Sequence, residues 1–357
     1  MADPGRYWFL TTVGIPRGWQ LVFGGRPIDL ERIDWRRVDA WSWGEVRVGH
    51  LDHGYTGHPA TAGCVQAKRG RNFMDAGSKD PRDPMNYDET FGVRGHCTRT
   101  GSVLAGRDQQ QSYIGAAPGV PLVPYRVTNR SVLNLPGGTL GEVEGNHVAA
   151  AIRDAIAAQG CAVVSISLGS LFGWKAMGEA VDEAYERGVI IVAAAGQVIN
   201  EVVYPGKYPQ TICVGGFKPG NWPYWTYRHS TFAQPDVWGP AAQVWRAGSA
   251  PPDDGSGVYD YGFGEGTSYS TAIVAGLAAL FLRKFGRALD SEGYKGWRRV
   301  ELFRVLLRRS LKRVRGDVPD GIIVDFPRVL IDPGPVFPWP APSALKRAAG
   351  KAADMRQ

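Results

Sequence analysis

The amino-acid sequence predicts an α/β fold, a three-layer sandwich in which helices flank both faces of a mostly parallel central sheet. Short apolar runs typical of buried strands alternate along the chain with segments whose apolar residues recur at helical spacing. The run 268–285 is apolar almost all round, which is typical of a helix inside a large core. The 357 residues, of which 44% are hydrophobic, suffice for one large domain with extensions.

The alternation of strands and helices begins near residue 46. Each predicted strand is a short apolar run, and these runs cover residues 46–51, 120–127, 162–168, 189–195 and 211–215. Helical spacing predicts helices over 143–158 and 174–186, which precede the buried helix 268–285. Because parallel strands end at the same edge of a sheet, we expect functional side chains in the loops at that edge.

Two flanking segments differ in composition from this main domain, which we place at residues 33–330. Residues 1–32 hold short apolar patches broken by glycine and proline, a pattern that predicts turns and short strands in an N-terminal extension. Residues 331–357 form a proline-rich tail followed by alanine, lysine and arginine, which predicts an extended strap and a short basic helix.

The formal net charge of +7 does not by itself indicate a nucleic-acid partner. The densest basic run, 295–315, is interleaved with apolar residues at helical spacing, so we expect an amphipathic helix with a solvated basic face. No apolar run approaches the roughly 20 residues that a membrane helix requires. We therefore expect neither nucleic-acid nor membrane binding, and the sequence leaves the oligomeric state open.

The N-terminus lacks the basic and apolar regions of a signal peptide, so a cytoplasmic location is expected. The four cysteines show no zinc-site spacing and fit free thiols in a reducing compartment better than a disulfide. Four aspartates lack the spacing of a calcium loop, so the sequence predicts surface acids and no metal site at Asp75, Asp80, Asp83 and Asp88.

Ser268 follows a glycine turn and lies in the first turn of the predicted buried helix. A helix N-terminus offers backbone N–H donors and a positive dipole end, which would favour the oxyanion formed when a serine attacks a carbonyl. Taken alone, however, a serine at this position is more often a simple helix cap.

Asp52 and His96 are the other two candidates for catalysis. Asp52 ends the first predicted strand, where a carboxylate can orient a histidine, and His96 opens a stretch that is predicted to be helical. Either residue alone is more often structural, because loop aspartates commonly form Asx turns.

Together the three segments resemble the subtilase family, whose catalytic residues follow the chain order Asp, His, Ser. The family's motifs appear here as Asp52-His53-Gly54, His96-Cys97-Thr98 and the run 266–272, which reads Gly-Thr-Ser-Tyr-Ser-Thr-Ala. The resemblance covers residues 33–330 and implies a subtilisin-like catalytic domain with Asp52, His96 and Ser268 as its triad. This chemistry needs no metal or cofactor.

The resemblance also implies a substrate groove. The run 165–170 is similar to the family's substrate-binding strand, and 190–196 to the strand that precedes its oxyanion residue, which here is Gln197 with the Ser268 N–H as second donor. The expected substrate-binding residues are Ser167, Leu168, Gly169, Ala194, Ala195, Gly196 and Val203. Val203 corresponds to the base of the pocket for the residue before the scissile bond, so we expect a shallow apolar pocket with Glu201 as the only nearby carboxylate.

The sequence departs from the family's motifs at several positions. Gln197 stands where the family has asparagine, and its extra methylene shifts the amide. Cys97 replaces a glycine, and we expect a small buried hydrophobe there more than a reactive thiol. Residues 1–32 are too few for the family's usual pro-domain. The segment 14–18 is either a peptide that crosses the active site or an extra edge strand.

These observations predict a serine endopeptidase that hydrolyses polypeptides through an acyl-enzyme on Ser268, with a narrow processing role. The alternative is a protease-like scaffold that binds peptides with little or no turnover, although the intact triad residues argue against it. An esterase or a peptide ligase would use the same acyl-enzyme, and the sequence does not separate them from a protease.

Overall fold

The computed structural model describes residues 5–87, 93–131, 140–197, 199–227, 234–249, 259–310, 312–313, 322–335, 338–350 and 352. Its strands are β1 Val48–Asp52, β2 Arg71–Asn72, β3 Arg107–Asp108, β4 Tyr113–Ile114, β5 Leu122–Arg126, β6 Val163–Ile166, β7 Ile190–Ala194, β8 Ile212–Lys218, β9 Trp222–Pro223, β10 Val237–Pro240, β11 Val244–Ala247, β12 Tyr261–Gly264, β13 Lys312–Arg313 and β14 Ile322–Ile323. Its helices are α1 Trp8–Thr11, α2 Ile15–Phe23, α3 Trp35–Asp39, α4 Pro59–Ala62, α5 His96–Ala105, α6 Leu140–Ala157, α7 Lys175–Glu186, α8 Thr267–Ser291, α9 Trp297–Arg309 and α10 Phe326–Val329.

The described strands build one large sheet with the order β13-β14-β10-β8-β7-β6-β1-β5-β2, and β9 pairs with β8. Every pair from β14 to β2 is parallel, whereas β13 and β9 are antiparallel to their neighbours. Two small hairpins, β3–β4 and β11–β12, lie outside it. The predicted mostly parallel sheet is thus confirmed.

Helices cover both faces of the sheet, because alternate side chains of each strand point to opposite sides. In β6, for example, Val163 belongs to one core cluster and Val164 to the other. The buried helix α8 and helix α5 lie on the first side, and α6 and α7 pack together on the second. This is the predicted three-layer sandwich.

The five predicted strands and three predicted helices all form, with ends displaced by a few residues. The largest differences are at α8, which continues to Ser291, and at β8, which continues to Lys218. The predicted amphipathic helix corresponds to α9. Among the described residues, none of the helices combines the length and the apolar character needed to cross a membrane.

The prediction of turns and short strands in residues 1–32 is wrong, because this segment forms helices α1 and α2. Both alternatives for 14–18 are wrong as well, since Ile15 begins α2 and packs in the core. Pro16 lies in the first turn of α2, where its missing N–H costs nothing. Gly14 precedes it with a positive φ of 75°.

Two expectations for the C-terminal part need correction. Arg304 of α9 is not on a solvated face: it is buried and donates hydrogen bonds to Asp236 at 2.7 Å and to the carbonyls of Pro209 and Thr211. The described residues of the tail contain no α-helix: they show a 3₁₀ turn at Pro342–Ala344, and Ala352 is also in 3₁₀ conformation. Residues 351 and 353–357 lie outside the described part of the chain.

Candidate active site

Asp52, His96 and Ser268 come together at the carboxyl edge of the sheet, although they are far apart in the chain. His96 Nδ1 lies 2.8 and 2.9 Å from the two carboxylate oxygens of Asp52, and His96 Nε2 lies 3.1 Å from Ser268 Oγ. Asp52 is fully buried and His96 nearly so. The three side chains therefore form a continuous hydrogen-bonded relay that ends at the serine hydroxyl.

The secondary structure explains how each side chain is positioned. Asp52 is the last residue of β1, and His96 and Ser268 lie in the first turns of α5 and α8. Gly95 and Gly266 precede these helices with φ of 69° and 149°, conformations that other residues rarely adopt. A side chain at Gly95 would also collide with Ser249, so the tight entry to α5 requires glycine.

The Asp52 carboxylate is held in its charged form. It accepts a hydrogen bond from the backbone N–H of His53 at 2.7 Å, and the Thr100 hydroxyl lies 3.3 Å away. Burial alone would raise its pKa, but the adjacent His96, together with His53 and His50, holds the pKa of Asp52 well below its usual range. A carboxylate so placed fixes the His96 tautomer with the proton on Nδ1.

Two further buried histidines surround the relay. Burial lowers the pKa of His50 to about 4, and it also lowers the pKa of His53, so both rings are neutral near pH 7. His50 Nε2 lies 3.1 Å from the Thr100 hydroxyl. His53 Nδ1 lies 3.1 Å from the carbonyl of Val93, which requires that this nitrogen carry the proton.

Gln197 lies beside Ser268 as the sequence predicts, with its amide anchored. Its Oε1 accepts hydrogen bonds from the N–H of Thr267 at 2.6 Å and from the Thr267 hydroxyl at 3.2 Å. Because a backbone N–H can only donate, the amide oxygen must face Thr267, which leaves the NH2 group for another acceptor. The anchoring bond shows how the longer side chain of glutamine is accommodated at this position.

A cleft of about 290 Å³ opens in front of Ser268. It is lined by Gln197 and by six of the seven residues expected to bind substrate: Ser167, Leu168, Gly169, Ala194, Gly196 and Val203. Ala195 does not line it, because this residue is fully buried in the core cluster that also contains residues of α5 and α8. Ala195 follows the last residue of β7, so the alternation of side chains within the strand does not predict its direction.

Val203 closes one end of the cleft. Its Cγ2 lies only 2.6 Å from where a Cβ at Gly169 would be and 3.0 Å from the corresponding position at Gly196. The methyl groups of Val203 thus occupy the space that the two glycines leave open. The expectation about Glu201 is wrong, since Glu201 does not line the cleft and pairs with Lys207 at 3.8 Å, whereas Glu265 does line it.

Sequence reasoning missed several other residues of the cleft: Val93, Arg99, Ser131, Leu171, Arg246 and Tyr269. Arg99 lies one turn after His96, a spacing that would have placed it on the same helix face. Arg246 belongs to β11, a short strand of the hairpin beside α5 that no sequence pattern predicts.

Two expectations about single residues have different outcomes. Cys97 is buried, and burial raises the pKa of its thiol well above the usual value, which fits the expected small hydrophobe. Asp83 is not a surface acid: it is buried and accepts hydrogen bonds from the N–H groups of Met85 and Gly95 and from the Tyr87 hydroxyl. Asp88 lies outside the described residues.

A buried Asp–His–Ser relay at the carboxyl edge of a parallel sheet defines a serine hydrolase with an α/β fold. The model of the subtilase family matches residues 44–317. The chain belongs to this family and is a subtilisin-like serine protease.

Curated relatives and solved structures agree with this assignment. The chain is 29% identical to Subtilisin DY of Bacillus licheniformis over 270 residues, 72% of this chain and 84% of that protein. It is 30% identical to Alkaline elastase YaB of Bacillus sp. (strain YaB) over 67% of this chain and about half (54%) of the relative. Its fold resembles MycP1 with the N-terminal propeptide removed, at a TM-score of 0.63 and 20% identity over 92% of this chain and 98% of that one. Its fold also resembles that of fervidolysin from Fervidobacterium pennivorans, a keratinolytic enzyme related to subtilisin, at a TM-score of 0.63 and 22% identity. This match covers 91% of this chain and 46% of fervidolysin.

Proposed function

We propose that the protein is a serine endopeptidase that cleaves a small set of polypeptides through an acyl-enzyme on Ser268. The observation that carries this proposal is the relay itself, with 2.8 Å between His96 Nδ1 and Asp52 and 3.1 Å between His96 Nε2 and Ser268 Oγ. These are hydrogen-bond distances for a nucleophile, a base and the group that orients the base.

In the first step, His96 Nε2 accepts the proton of the Ser268 hydroxyl while Oγ attacks the scissile carbonyl. Asp52 stabilises the imidazolium that forms, and His96 then gives the proton to the leaving amine, which completes the acyl-enzyme. Water then attacks the ester in the same way, with His96 accepting its proton and passing a proton to Ser268 Oγ, and the second product is released. The groups of this chain account for every proton transfer.

The negative charge of the tetrahedral intermediate needs donors placed before the reaction begins. The Ser268 N–H lies in the first turn of α8, where backbone donors have no partner within the helix. The NH2 group of Gln197 is the second donor, and the Thr267 bond to its oxygen holds it in place. Donors that are fixed in advance cost no reorganisation during the reaction.

A fluorophosphonate probe tests this function directly, because it labels only a serine that is activated as a nucleophile. We expect the probe to label the intact protein on Ser268, and we expect no label on Ser268→Ala, which should fold normally. The unmutated protein should cleave the peptides of a mixed library at internal bonds, whereas Ser268→Ala should leave the peptides intact. A folded protein that captures peptides but takes no label would instead be the peptide-binding scaffold.

The narrow processing role includes a preference of the enzyme for certain substrate residues directly before the scissile bond. Because Val203 fills the space above Gly169 and Gly196, the pocket is shallow and accepts alanine, valine or leucine better than phenylalanine. Lysine and arginine should be poor at this position, because Arg99 and Arg246 line the same cleft as Glu265 and offset the charge of that carboxylate. A graded preference is expected, because one methylene changes the transition-state energy by about 1–3 kcal/mol.

Library profiling of the unmutated protein and of Val203→Ala tests this preference. The substitution should raise kcat/KM for phenylalanine relative to alanine at the residue before the scissile bond by roughly 10-fold or more, because it deepens the pocket. Dominant cleavage after lysine or arginine in the unmutated protein would contradict the proposed pocket.

A cytoplasmic location remains part of the proposal. The four cysteines support it, since Cys64, Cys97, Cys161 and Cys213 are all unpaired and buried. Fractionation of the source cells with an antibody to the protein would test it.

A further inference from the structure

His53 is a buried histidine next to the relay that the proposed mechanism does not use. Its imidazole lies 5.2 Å from that of His96, measured between ring centres. Its Nδ1 proton is directed at the Val93 carbonyl. Its Nε2 is buried and makes no hydrogen bond to the described residues. The Arg130 backbone lies near the ring and slightly favours the protonated form of His53.

Asp52, His53 and His96 together form a cluster of metal-ligating groups. One ligand atom from each residue, an imidazole nitrogen or a carboxylate oxygen, lies within 4.8 Å of the other two, and all three residues are buried. Two imidazoles and one carboxylate are the donor set of many three-ligand zinc sites, in which water completes a tetrahedron. The single carboxylate would offset part of the charge of the ion.

We propose that Asp52, His53 and His96 form an inhibitory Zn²⁺ site in which the ion engages the imidazole of the general base. The nitrogen of His96 nearest the carboxylate is Nδ1, so the ion takes the place of the proton between His96 and Asp52. That proton is lost to solvent, and Nε2 takes one up in exchange, so the metal-bound imidazole remains neutral with its single proton on Nε2. A protonated Nε2 has no lone pair for the proton of the Ser268 hydroxyl, and proton transfer from Ser268 stops. Removal of the ion by a chelator restores the relay.

The geometry requires small movements. Zinc–nitrogen and zinc–oxygen bonds of about 2.0–2.2 Å place neighbouring ligand atoms of a tetrahedron roughly 3.4 Å apart. The present distance of 2.8 Å between His96 Nδ1 and Asp52 must therefore lengthen. The longest of the distances between the three ligand atoms, which is at most 4.8 Å, must shorten. His96 lines the open cleft, so rotation of this ring provides the entry path.

Direct binding to the Ser268→Ala protein tests the site without turnover or self-cleavage. Zinc is titrated against a chromophoric chelator, and we expect one ion per chain. Adding His53→Asn should weaken binding at least about 10-fold, since the amide keeps a donor near the Val93 carbonyl but removes Nε2. The matched control is His147→Asn, because His147 Nδ1 also faces a carbonyl, that of Val127 at 3.3 Å, and lies outside the cluster. His53→Ala gives a second test if the asparagine variant does not fold.

The active protein provides the second measurement. Zinc should inhibit peptide hydrolysis reversibly, with EDTA restoring it, and the inhibiting concentration should rise at least about 10-fold in His53→Asn but not in His147→Asn. Zinc bound as tightly by the folded His53 variants as by the parent would overturn the proposal, as would no binding by the Ser268→Ala protein. The binding measurement does not depend on hydrolysis, so a failure of the proposed protease function would be seen separately.

Discussion

At the scale of single residues, the anchoring of Gln197 determines whether the site can work with a glutamine where the family has asparagine. The side chain is one methylene longer, and donors in an oxyanion hole must lie within a few tenths of an ångström of their positions. The 2.6 Å hydrogen bond from the Thr267 N–H to Oε1 fixes the far end of the amide. With the oxygen held in this way, the NH2 group remains as the donor end of the amide, in the cleft that Ser268 also lines.

Substitution of Gln197 measures this contribution. Gln197→Ala should lower kcat by roughly 10²–10³ with little change in KM, because the lost donor acts on the transition state and not on the bound substrate. Gln197→Asn should leave kcat within a few-fold or raise it. Steady-state kinetics on one peptide substrate give both values, and an alanine variant with unchanged kcat would show that backbone donors alone form the oxyanion hole.

The residues of the relay could be predicted from the sequence, whereas much of the cleft could not. Asp52, His96 and Ser268 each stand at the end or the beginning of an element, within motifs that mark those boundaries. Arg246 reaches the cleft only because the hairpin that carries it packs beside α5, and no local sequence pattern indicates that approach. Ala195 lies next to lining residues in the chain, but it is fully buried in the core cluster that contains residues of α8.

At the scale of elements, the buried strands were predictable because each is a short apolar run, and the helices because their apolar spacing is regular. Helix α1 could not be predicted because it has only four residues. Helix α2 could not be predicted because it contains Pro16 and Gly18, residue types that usually interrupt helices. Tertiary contacts explain why α2 forms. Gly18 lets Leu330 approach closely, and the Trp19 indole donates a 2.8 Å hydrogen bond to the Ala116 carbonyl.

Helix α2 is therefore expected to be an integral part of the core. Trp19 is fully buried, so Trp19→Ala should lower the free energy of unfolding by about 3–5 kcal/mol through lost apolar burial and the cavity left behind. Chemical denaturation in the Ser268→Ala background gives this value without self-cleavage. Trp222→Ala is the matched control, because Trp222 is 52% exposed and its loss should change stability by less than about 0.5 kcal/mol. Equal effects of the two substitutions would mean that α2 is only loosely attached.

At the scale of the whole molecule, the buried histidines connect the active site to the stability of the fold. Four of the six histidines, His50, His53, His58 and His96, are buried in the described structure. Burial lowers the pKa of His50, His53 and His58, so the folded protein holds these rings neutral. An unfolded chain would protonate them near their ordinary pKa of about 6.5.

This difference predicts that acid weakens the fold through His50. The pKa of His50 is about 4 in the folded protein and 6.5 in the unfolded chain, so the unfolded state binds more protons between these two pH values. The free energy of unfolding therefore falls as the pH drops from about 6.5 to about 4. Below about pH 4, His50 causes no further change. The loss is on the order of 3 kcal/mol. Denaturation of the Ser268→Ala protein at a series of pH values should show the decline. His50→Asn should flatten it by a similar amount, while His147→Asn, which alters a histidine outside this buried group, should leave the slope unchanged. A His50→Asn protein with the full pH dependence would assign the acid sensitivity to the other buried groups.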